Sequence, residues 1–245
     1  MGSAEEVASL RVGIIQPNYI PWRGYFDFIA SVDLFLFLDD VQYTTRDWRN
    51  RNCIKAAKGL RWLTVPVRRG SRERPIHAVE IADDDWRSEH LDQIHAHYEQ
   101  ASHLNPTKTH LLYYRAGEYP LLADMTIFQT LMLMEELSIK TPTMRTSSLR
   151  VDGKKTERLI NLCRAVGATT YLSGPAAKGY LDVEQFRTAG IGLEYKRYDY
   201  EPYPQLHGPF IPAVSVLDLL FNTGPHARDL CRSKTPNEVV LVSRS

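Results

Sequence analysis

Two short apolar runs near the start of the chain constrain its fold more than any other feature of the sequence. Residues 11–16 (RVGIIQ) and 34–38 (LFLFL) are largely apolar and lack the polar alternation of a half-exposed strand, which is typical of strands buried on both faces of a parallel sheet. Between the two runs, Tyr25, Phe28 and Ile29 recur at helical spacing. A strand, a helix and a second strand within about thirty residues make up a βαβ unit. The sequence therefore predicts an α/β fold built on a mainly parallel sheet flanked by helices.

The alternation of helices and strands continues along the chain. Further strands are predicted over residues 62–67, 76–81, 169–172 and 191–195, and helices over 86–99, 121–137, 152–166, 179–186 and 214–221. Neither an internal repeat nor a low-complexity linker divides the 245 residues, a length that one large domain can reach. We therefore expect one Rossmann-like α/β domain over residues 1–245, with a helical middle insertion over 86–140 and a flexible start over 1–10.

Composition and charge exclude several classes of protein. The 30 basic and 29 acidic residues give a net charge of +1, which argues against a protein that coats nucleic acid but not against a local phosphate site. The three cysteines include no CxxC pair, so neither a disulfide framework nor a structural zinc site is expected, and a reducing cytosol fits. No apolar run has transmembrane length and no secretory signal pattern is present, so we expect a cytoplasmic protein without a membrane segment.

Histidines are enriched between positions 90 and 110. Metal binding by histidine needs several ligands that converge on one point, and the sequence contains no HExxH pattern. The sequence therefore predicts no metal site in this stretch.

The first predicted strand ends in a loop that departs from what a buried core requires. Residues 16–26 (QPNYIPWRGYF) combine amides, prolines and aromatic rings, and in open α/β sheets ligands bind beyond the carboxyl ends of the strands. Gly24, at the start of the next helix, leaves room for an anion to approach backbone N–H groups. The alternative is that the prolines and aromatic rings only plug the end of the sheet. The predicted catalytic residues here are Gln16 and Asn18, and the predicted substrate-binding residues are Tyr19, Trp22 and Tyr25.

Asp39 and Asp40 follow the second predicted strand, at the same edge of the sheet. Because side chains alternate along a strand, the two carboxylates point to opposite sides. One of them is predicted to face the cleft as a general base or Mg²⁺ ligand, and the other to cap or pair nearby groups. Asp40 is the favoured base, because Asp39 shares the aromatic face of the strand, which helices are expected to cover. The alternative, in which both carboxylates only cap a turn, stays open.

A basic and aromatic segment follows at residues 46–52 (RDWRNRN). Arginine forks suit phosphate or carboxylate groups, and a tryptophan ring can stack on a base or cover a sugar. The alternative is a structural network of salt bridges. The predicted substrate-binding residues in and beside this segment are Gln42, Arg46, Trp48, Arg49, Asn50 and Arg51.

A second junction between a strand and a loop follows residues 169–172. The backbone amides of Ser173 and Gly174 in such a turn can bind an anion or an oxyanion, and Lys178 follows shortly after. These three residues complete the predicted substrate-binding set.

With these residues in view, the chain resembles the WbqC-like family. The matching stretches are IIQPNYIPWRGYFDFIASVD, LDDVQYTTRDWRNRN, WLTVPV, TTYLSGPAAKGYL and SVLDLLFN, and they run in order over nearly the whole chain. The family is associated with bacterial O-antigen and related polysaccharide gene clusters, and the resemblance implies transfer of glycine onto an amino sugar. It implies no set of catalytic residues, so the predicted site rests on residue chemistry alone.

The opening strand, loop, helix and strand are also similar, more weakly, to the nucleotidyltransferase group that includes pantothenate synthetase. In that group a histidine motif in the first loop binds ATP, whereas the first loop here contains no histidine. Two alternative functions are therefore kept. One is an ATP-dependent nucleotidyltransferase or ligase acting on a small acid, and the other is a non-catalytic binding protein of a glycan or natural-product pathway.

These features predict a transferase that forms an amide by moving an activated aminoacyl group, expected to be glycyl, to the amine of a nucleotide-linked or glycan amino sugar. Asp40 or Asp39 would deprotonate the acceptor amine, Gln16, Asn18 or the backbone at Ser173 would stabilise the oxyanion, and the arginines would hold phosphate. The sequence leaves open the donor (an adenylate, a carrier-protein thioester or an aminoacyl-tRNA), the acceptor, the pathway, the oligomeric state and any use of ATP or Mg²⁺.

Overall fold

The computed structural model describes residues 9–82 and 85–243. Its strands are β1 (Arg11–Ile15), β2 (Leu34–Phe37), β3 (Arg51–Ala56), β4 (Gly59–Thr64), β5 (Thr143–Arg145), β6 (Thr170–Ser173), β7 (Gly192–Tyr195) and β8 (Glu238–Leu241). Its helices are α1 (Arg23–Ala30), α2 (Trp86–Tyr98), α3 (Pro106–Ala116), α4 (Leu122–Glu136), α5 (Lys155–Ala165), α6 (Val183–Ala189), α7 (Val216–Thr223) and α8 (Ala227–Leu230). None of the helices in this described part of the chain combines the length and apolarity that a membrane span requires.

Six strands of the described residues form one sheet in the order β5-β2-β1-β6-β7-β8. The first five run parallel, and β8 pairs antiparallel with β7. Counted within this sheet, the strand order is 3-2-1-4-5-6, the order of Rossmann folds, and it reverses between β1 and β6. The predicted α/β, Rossmann-like fold is confirmed. Since ligands bind beyond the carboxyl ends of the strands at such a reversal, the loop after β1 lies where a site is expected.

The first helix packs closely against the first strand because of a glycine. A Cβ atom on Gly13 would lie 2.4 Å from the ring of Phe28 in α1, so only glycine lets this ring lie against β1. Phe35 and Phe37 of β2 continue the same core. The opposite face of the sheet carries a second core, which includes Phe186 of α6. Both faces of the central strands are thus buried, as their apolar runs predict.

The hairpin of β3 and β4 is separate from the main sheet and packs beside the loop after β1. Its turn uses Gly59 at φ +106°, a value that only glycine adopts readily. Ile54 and Leu63 are buried in the main core, and the Asn52 side chain donates to the carbonyl of Tyr19 at 3.2 Å. The hairpin therefore positions the ends of its two strands next to this loop.

The prediction of a strand over residues 76–81 is wrong. A 3₁₀ turn (Ile76–Ala78) stands there, followed by isolated bridges at Glu80 and Ile81. Ile76 and Val79 are both buried, and residues three apart share one face of a helical turn but opposite faces of a strand. The strand predicted over 62–67 lies earlier, at β4, and ends before Pro66, which lacks the N–H that a ladder needs.

Several elements were not predicted from the sequence. The strands β3, β5 and β8 and the helix α3 are absent from the prediction, since a proline such as Pro106 usually interrupts a helix. That proline instead occupies the first turn of α3, where its missing N–H costs nothing, and the Asn105 side chain accepts from Lys108 N at 3.0 Å as the N-cap. Together with α2 and α4, α3 makes up the middle region predicted as helical.

The flexible start predicted over 1–10 falls mostly on residues 1–8, outside the described residues. The Leu10 carbonyl accepts from Thr169 N at 2.9 Å. Residue 10 is therefore tied to the segment that leads into β6.

Candidate functional site

A cleft of about 290 Å³ opens beside the carboxyl end of β1, close to the lower end of the size range of ligand pockets. We call it the aromatic cleft, and its lining residues are Asn18, Pro21, Trp22, Trp48, Asn52 and Ala213. Three segments meet here: the loop after β1, the start of β3 and the chain leading into α7. Backbone hydrogen bonds join them, because Val216 N donates to Pro21 O at 2.8 Å and Ser215 N donates to Cys53 O at 2.9 Å.

The backbone of the loop after β1 is strained at Ile20. Its φ is +34°, a value that a β-branched residue rarely adopts. The surroundings hold it, because the Asn52 amide donates to the carbonyls of both Tyr19 and Ile20, at 3.2 and 2.9 Å. Such strain clusters at functional sites. Asn52, which was not predicted, therefore shapes this loop.

Tyr19 anchors the same loop in the core and does not face the cleft. Its side chain is fully buried, and its hydroxyl lies 2.7 Å from His90 Nδ1 and 2.8 Å from the Tyr113 hydroxyl. Burial lowers the pKa of His90 to about 4, so the imidazole is neutral at neutral pH, and burial raises the pKa of Tyr19. Tyr19 thus has a structural role here and is not among the residues that line the cleft.

Asn18 and Arg49, predicted from two separate segments, meet at the edge of the aromatic cleft. The Arg49 guanidinium donates to Asn18 Oδ1 and, at 3.3 Å, to the Asp47 carboxylate. Since the oxygen accepts from Arg49, the NH₂ group is the remaining donor of the Asn18 amide, and Asn18 lines the cleft. Partial burial raises the pKa of Asp47, but Arg49 and the hydrogen bonds from Thr44 and Trp48 together bring it below its usual range. Asp47 therefore holds Arg49 as an anionic acceptor.

Two tryptophans form an exposed platform beside the cleft. The rings of Trp48 and Trp62 stack with centroids 5.7 Å apart, and both residues are 43% exposed. The Arg51 guanidinium lies 4.5 Å from the centroid of the Trp62 ring and donates to Arg46 O at 2.8 Å. Exposed rings next to a guanidinium suit a planar or sugar group that carries negative charge. Trp62 was not predicted as a site residue, because only the unpredicted pairing of β3 with β4 brings it to Trp48.

A second polar group lies at the ends of β2 and β5. We call it the aspartate cluster, and it consists of Asp39, Asp40, Asp124, Arg145, Thr146, Ser147 and Arg158. Asp39 is fully buried and accepts from Arg145 Nε at 2.6 Å and from the backbone and hydroxyl of Ser147 at 2.9 and 2.8 Å. These partners enclose its carboxylate, so Asp39 has no open side for a substrate.

Asp40 is more open. Its carboxylate accepts from the Thr146 hydroxyl at 2.7 Å and from Arg158 of α5, and 15% of its side chain is exposed. Arg145 links Asp39 instead to Asp124 of α4, which packs on the other face of the sheet from α5. The two carboxylates thus have different arginine partners, although the Thr146 hydroxyl lies within hydrogen-bond distance of both, at 3.3 Å from Asp39 and 2.7 Å from Asp40.

The predicted catalytic residues do not all share one cleft. Asn18 pairs with Arg49, whereas Asp39 and Asp40 pair with the other members of the aspartate cluster. Leu38 N donates to Ile15 O at 2.9 Å, which places Gln16 beside the end of β2 and two residues before Asn18. Gln16 therefore stands between the aromatic cleft and the aspartate cluster along the edge of the sheet.

A match to a known protein family spans both the aromatic cleft and the aspartate cluster. The family model of the WbqC-like protein family matches residues 16–230. The chain belongs to the WbqC-like family. The uncharacterized protein Rv1507c of Mycobacterium tuberculosis is 42% identical to it over 225 residues, which cover 91% of this chain and 97% of that protein. No solved structure matches the chain. The family match includes every residue of the aromatic cleft and of the aspartate cluster.

Three other predicted binding residues of this WbqC-like chain donate hydrogen bonds to backbone carbonyls of the protein. Tyr25 is buried and its hydroxyl donates to Gln16 O at 3.0 Å. Asn50 is buried and its amide donates to Val65 O at 2.8 Å. These contacts give Tyr25 and Asn50 structural roles, whereas Gln42 is exposed and donates to the carbonyl of Arg72 at 3.0 Å.

The residues predicted around β6 do not join the aromatic cleft. Ser173 is buried, with its hydroxyl 3.4 Å from that of Tyr171, and Gly174 has open space where a Cβ would stand. Lys178 pairs with Glu238 at 2.7 Å, at the start of β8. Lys178 is thereby directed toward the far edge of the sheet.

The expectation that Gly24 leaves room for an anion at the start of α1 is wrong. A Cβ atom on Gly24 would lie 2.3 Å from the ring of Trp22. The tryptophan therefore fills the space over the start of α1, and the glycine is needed to admit its ring. Within the described residues, no group of His, Cys, Asp or Glu side chains is placed to hold a metal ion.

Proposed function

We propose that this WbqC-like protein is a transferase that forms an amide by moving an activated aminoacyl group, glycyl in the first instance, to the amine of a nucleotide-linked or glycan amino sugar. The observation that carries the proposal is the aromatic cleft at the carboxyl edge of the sheet. Its walls are tryptophans, and at its edge the Asn18 amide is held by a hydrogen bond from Arg49. Tryptophan faces suit sugar rings and bases. Amide N–H groups suit a carbonyl oxygen that becomes negatively charged.

Asn18 is the proposed donor to the acyl oxygen. In amide formation the amine attacks the acyl carbon, the carbonyl oxygen gains negative charge, and the leaving group departs with the electron pair of its bond. Arg49 occupies Asn18 Oδ1, which prevents the amide from turning and keeps its NH₂ group as the remaining donor. A donor fixed in advance stabilises the charged intermediate without reorganisation during the reaction.

Asp40 is the proposed base that takes the proton from the acceptor amine. It is the partly exposed member of the pair, whereas Asp39 is enclosed by Arg145 and Ser147. This role requires the substrate to lie along the sheet edge from Asn18 past Gln16 to Asp40, and the bond from Leu38 N to Ile15 O, which brings the ends of β1 and β2 together, supports such a path. Arg51, whose guanidinium lies over the Trp62 ring, is the proposed partner of the phosphates of a nucleotide-linked acceptor, together with Arg46, whose carbonyl accepts from Arg51.

The test is a search for the glycylated product. Purified protein is incubated with nucleotide-linked amino sugars and, in turn, glycyl adenylate, a glycyl thioester and glycyl-tRNA, and mass spectrometry detects a gain of one glycyl residue. Asn18→Ala is expected to lower the rate by roughly 10²–10³-fold, the usual cost of a lost oxyanion donor. Gln100→Ala, which removes an exposed amide beyond α2, is the matched control and keeps full activity.

Two outcomes would contradict the proposal. The first is tight binding of these ligands without product from any donor, which would indicate a binding protein. The second is ATP-dependent release of pyrophosphate with a small acid and no amino sugar. The 3-2-1-4-5-6 strand order, which binds nucleotides at its reversal in other proteins, favours that second candidate, an ATP-dependent nucleotidyltransferase or ligase.

A further inference from the structure

A long groove runs beside α1, separate from the aromatic cleft. Two adjoining cavities of about 570 and 620 Å³ form it, and their linings share Asp27, Ala30 and Arg232. We call it the basic groove, after its lining cations Arg11, Lys140, Lys196, Arg228, Arg232 and Lys234. Among the described residues, its lining has no member in common with that of the aromatic cleft.

Positive charge is concentrated in this groove. Six lining residues are Lys or Arg and two are Asp, although the whole chain carries a net charge of only +1. The two acidic residues are Asp27 and Asp33. A concave surface with this excess of one sign raises the local concentration of ligands of the opposite sign.

Three of the cations have no partner within the described residues. The side chains of Lys140, Arg228 and Arg232 are exposed and make no hydrogen bond or ion pair there, and all three line the cavity of about 570 Å³. Like charges around one cavity repel one another. An anion bound between them would relieve that repulsion and accept hydrogen bonds from the guanidinium groups.

The carboxylate of Asp27 does not oppose an anion in this groove, because it is already neutralised. Asp27 and Lys196 form an ion pair at 2.8 Å, with side chains 6% and 5% exposed. The same carboxylate accepts from the Tyr200 hydroxyl at 2.8 Å and from Ser233 N at 3.1 Å. The unpartnered arginines and lysine thus set the sign of the field that a ligand meets.

The groove also offers apolar surface for an organic group. Ile139, which is half-buried, lines the same cavity as the three unpartnered cations, whereas Phe26, Leu137 and Cys231 also line it but are almost fully buried. An inorganic ion alone would leave this surface in water. An organic phosphate would cover it, and a cavity of about 570 Å³ falls in the range of small-molecule sites.

We propose that the basic groove binds a small organic ligand of nucleotide size that carries a phosphate or diphosphate group. Its phosphate lies among Lys140, Arg228 and Arg232, and its organic part lies beside Ile139. The cavity of about 570 Å³ has the size of a small-molecule site, which favours a small ligand over the extended backbone of a nucleic acid. This site does not depend on the proposed transferase activity, since it is recognised by binding alone.

Calorimetric titration with inorganic pyrophosphate, ATP and adenosine tests the proposal. ATP and pyrophosphate are expected to bind, more weakly as salt is added, and adenosine is expected to bind least. The double variant Arg228→Ala/Arg232→Ala is expected to weaken ATP and pyrophosphate binding about tenfold or more, and Lys140→Ala is expected to weaken it less. The melting temperature of each variant, compared with that of the wild type, shows that the loss is not one of folding.

A control variant separates this site from other cations. Arg164→Ala removes an exposed arginine on α5, on the other face of the sheet, and is expected to keep ATP binding. The proposal is overturned if neither ATP nor pyrophosphate binds, if the groove variants keep ATP binding and only Arg49→Ala at the aromatic cleft abolishes it, or if all variants lose it equally. Tighter binding of an RNA oligonucleotide than of ATP, lost in the double variant, would also overturn it.

Discussion

Asp39 and Asp40 show how far two neighbouring residues of one type can differ in role. The Asp39 carboxylate is fully buried and shared among Arg145 and Ser147, whereas Asp40 keeps part of its side chain exposed. A carboxylate enclosed by donors holds the structure together, and one that is partly open can exchange a proton with a substrate. The same contrast separates Asn52, whose amide donates to the carbonyls of Tyr19 and Ile20, from Asn18, which lines the cleft and whose oxygen accepts from Arg49.

Asp40→Asn should lower the turnover of the proposed reaction by roughly 10²–10⁴-fold, the usual contribution of a general base, with a small change in stability. Asp39→Asn should instead cost about 1–3 kcal/mol of unfolding free energy, because the buried groups around it lose a charged acceptor. Steady-state kinetics and urea unfolding measure the two effects. Full activity of both variants across the pH range would eliminate carboxylate base catalysis at this position.

His90 gives the protein a pH dependence of stability. Its folded pKa, lowered by burial to about 4, lies below the ordinary value of 6.5, so the unfolded chain binds more protons between these two values. Its contribution is therefore fully present above pH 6.5 and is lost as the pH falls toward 4, up to about 3 kcal/mol. Urea unfolding of wild type and His90→Gln checks this: the variant should be less stable at neutral pH and lose stability less steeply on acidification. Parallel profiles would contradict it.

At the scale of single elements, the loop after β1 and the start of α1 are fitted to each other through Trp22. The ring of Trp22 lies over Gly24, and it contacts Tyr198 and Tyr200 with centroids 5.1 and 5.9 Å away. The Trp22 wall of the aromatic cleft thus depends on glycine at position 24, where a side chain would meet the ring.

Gly24→Ala should destabilise the protein and disturb the cleft. In an open helix this change adds up to about 1 kcal/mol of stability, but here the new Cβ meets the Trp22 ring, and such overpacking costs about 1–3 kcal/mol. Gly174→Ala is the matched control, because nothing lies within 4 Å of its Cβ position. Urea unfolding compares the two variants. A gain in stability for Gly24→Ala would show that Trp22 moves without cost.

At the scale of the whole molecule, one core joins segments that are distant in the sequence. The core that contains Phe28 of α1 also contains Leu63 of the hairpin, Tyr113 of the helical middle region and Cys231 near the end of the family match. The buried pair of Asp27 and Lys196 adds a link between α1 and the end of β7. No segment of this core is independent of the others.

The protein should therefore unfold in one cooperative transition. Differential scanning calorimetry should give a calorimetric enthalpy equal to the van't Hoff enthalpy. Lys196→Met should shift this single transition to lower temperature, because it leaves the Asp27 charge buried without its partner, at a cost of about 3–5 kcal/mol. Two resolved transitions, or a partial one in the variant, would indicate that the helical middle region unfolds by itself.

The sequence by itself determined the class of fold and part of the site. Unbroken apolar runs mark β1 and β2 as buried parallel strands, and the polar loop after β1 marks the edge where Asn18 lies, because both signals are local. Only the tertiary structure decided the rest. Arg145 reaches Asp39 from 106 residues away, and Trp62 meets Trp48 through a hairpin whose first strand has no clear pattern. The groove beside α1 likewise draws cations from both ends of the chain. Contacts of this kind depend on long-range packing, which the local periodicity of a sequence does not encode.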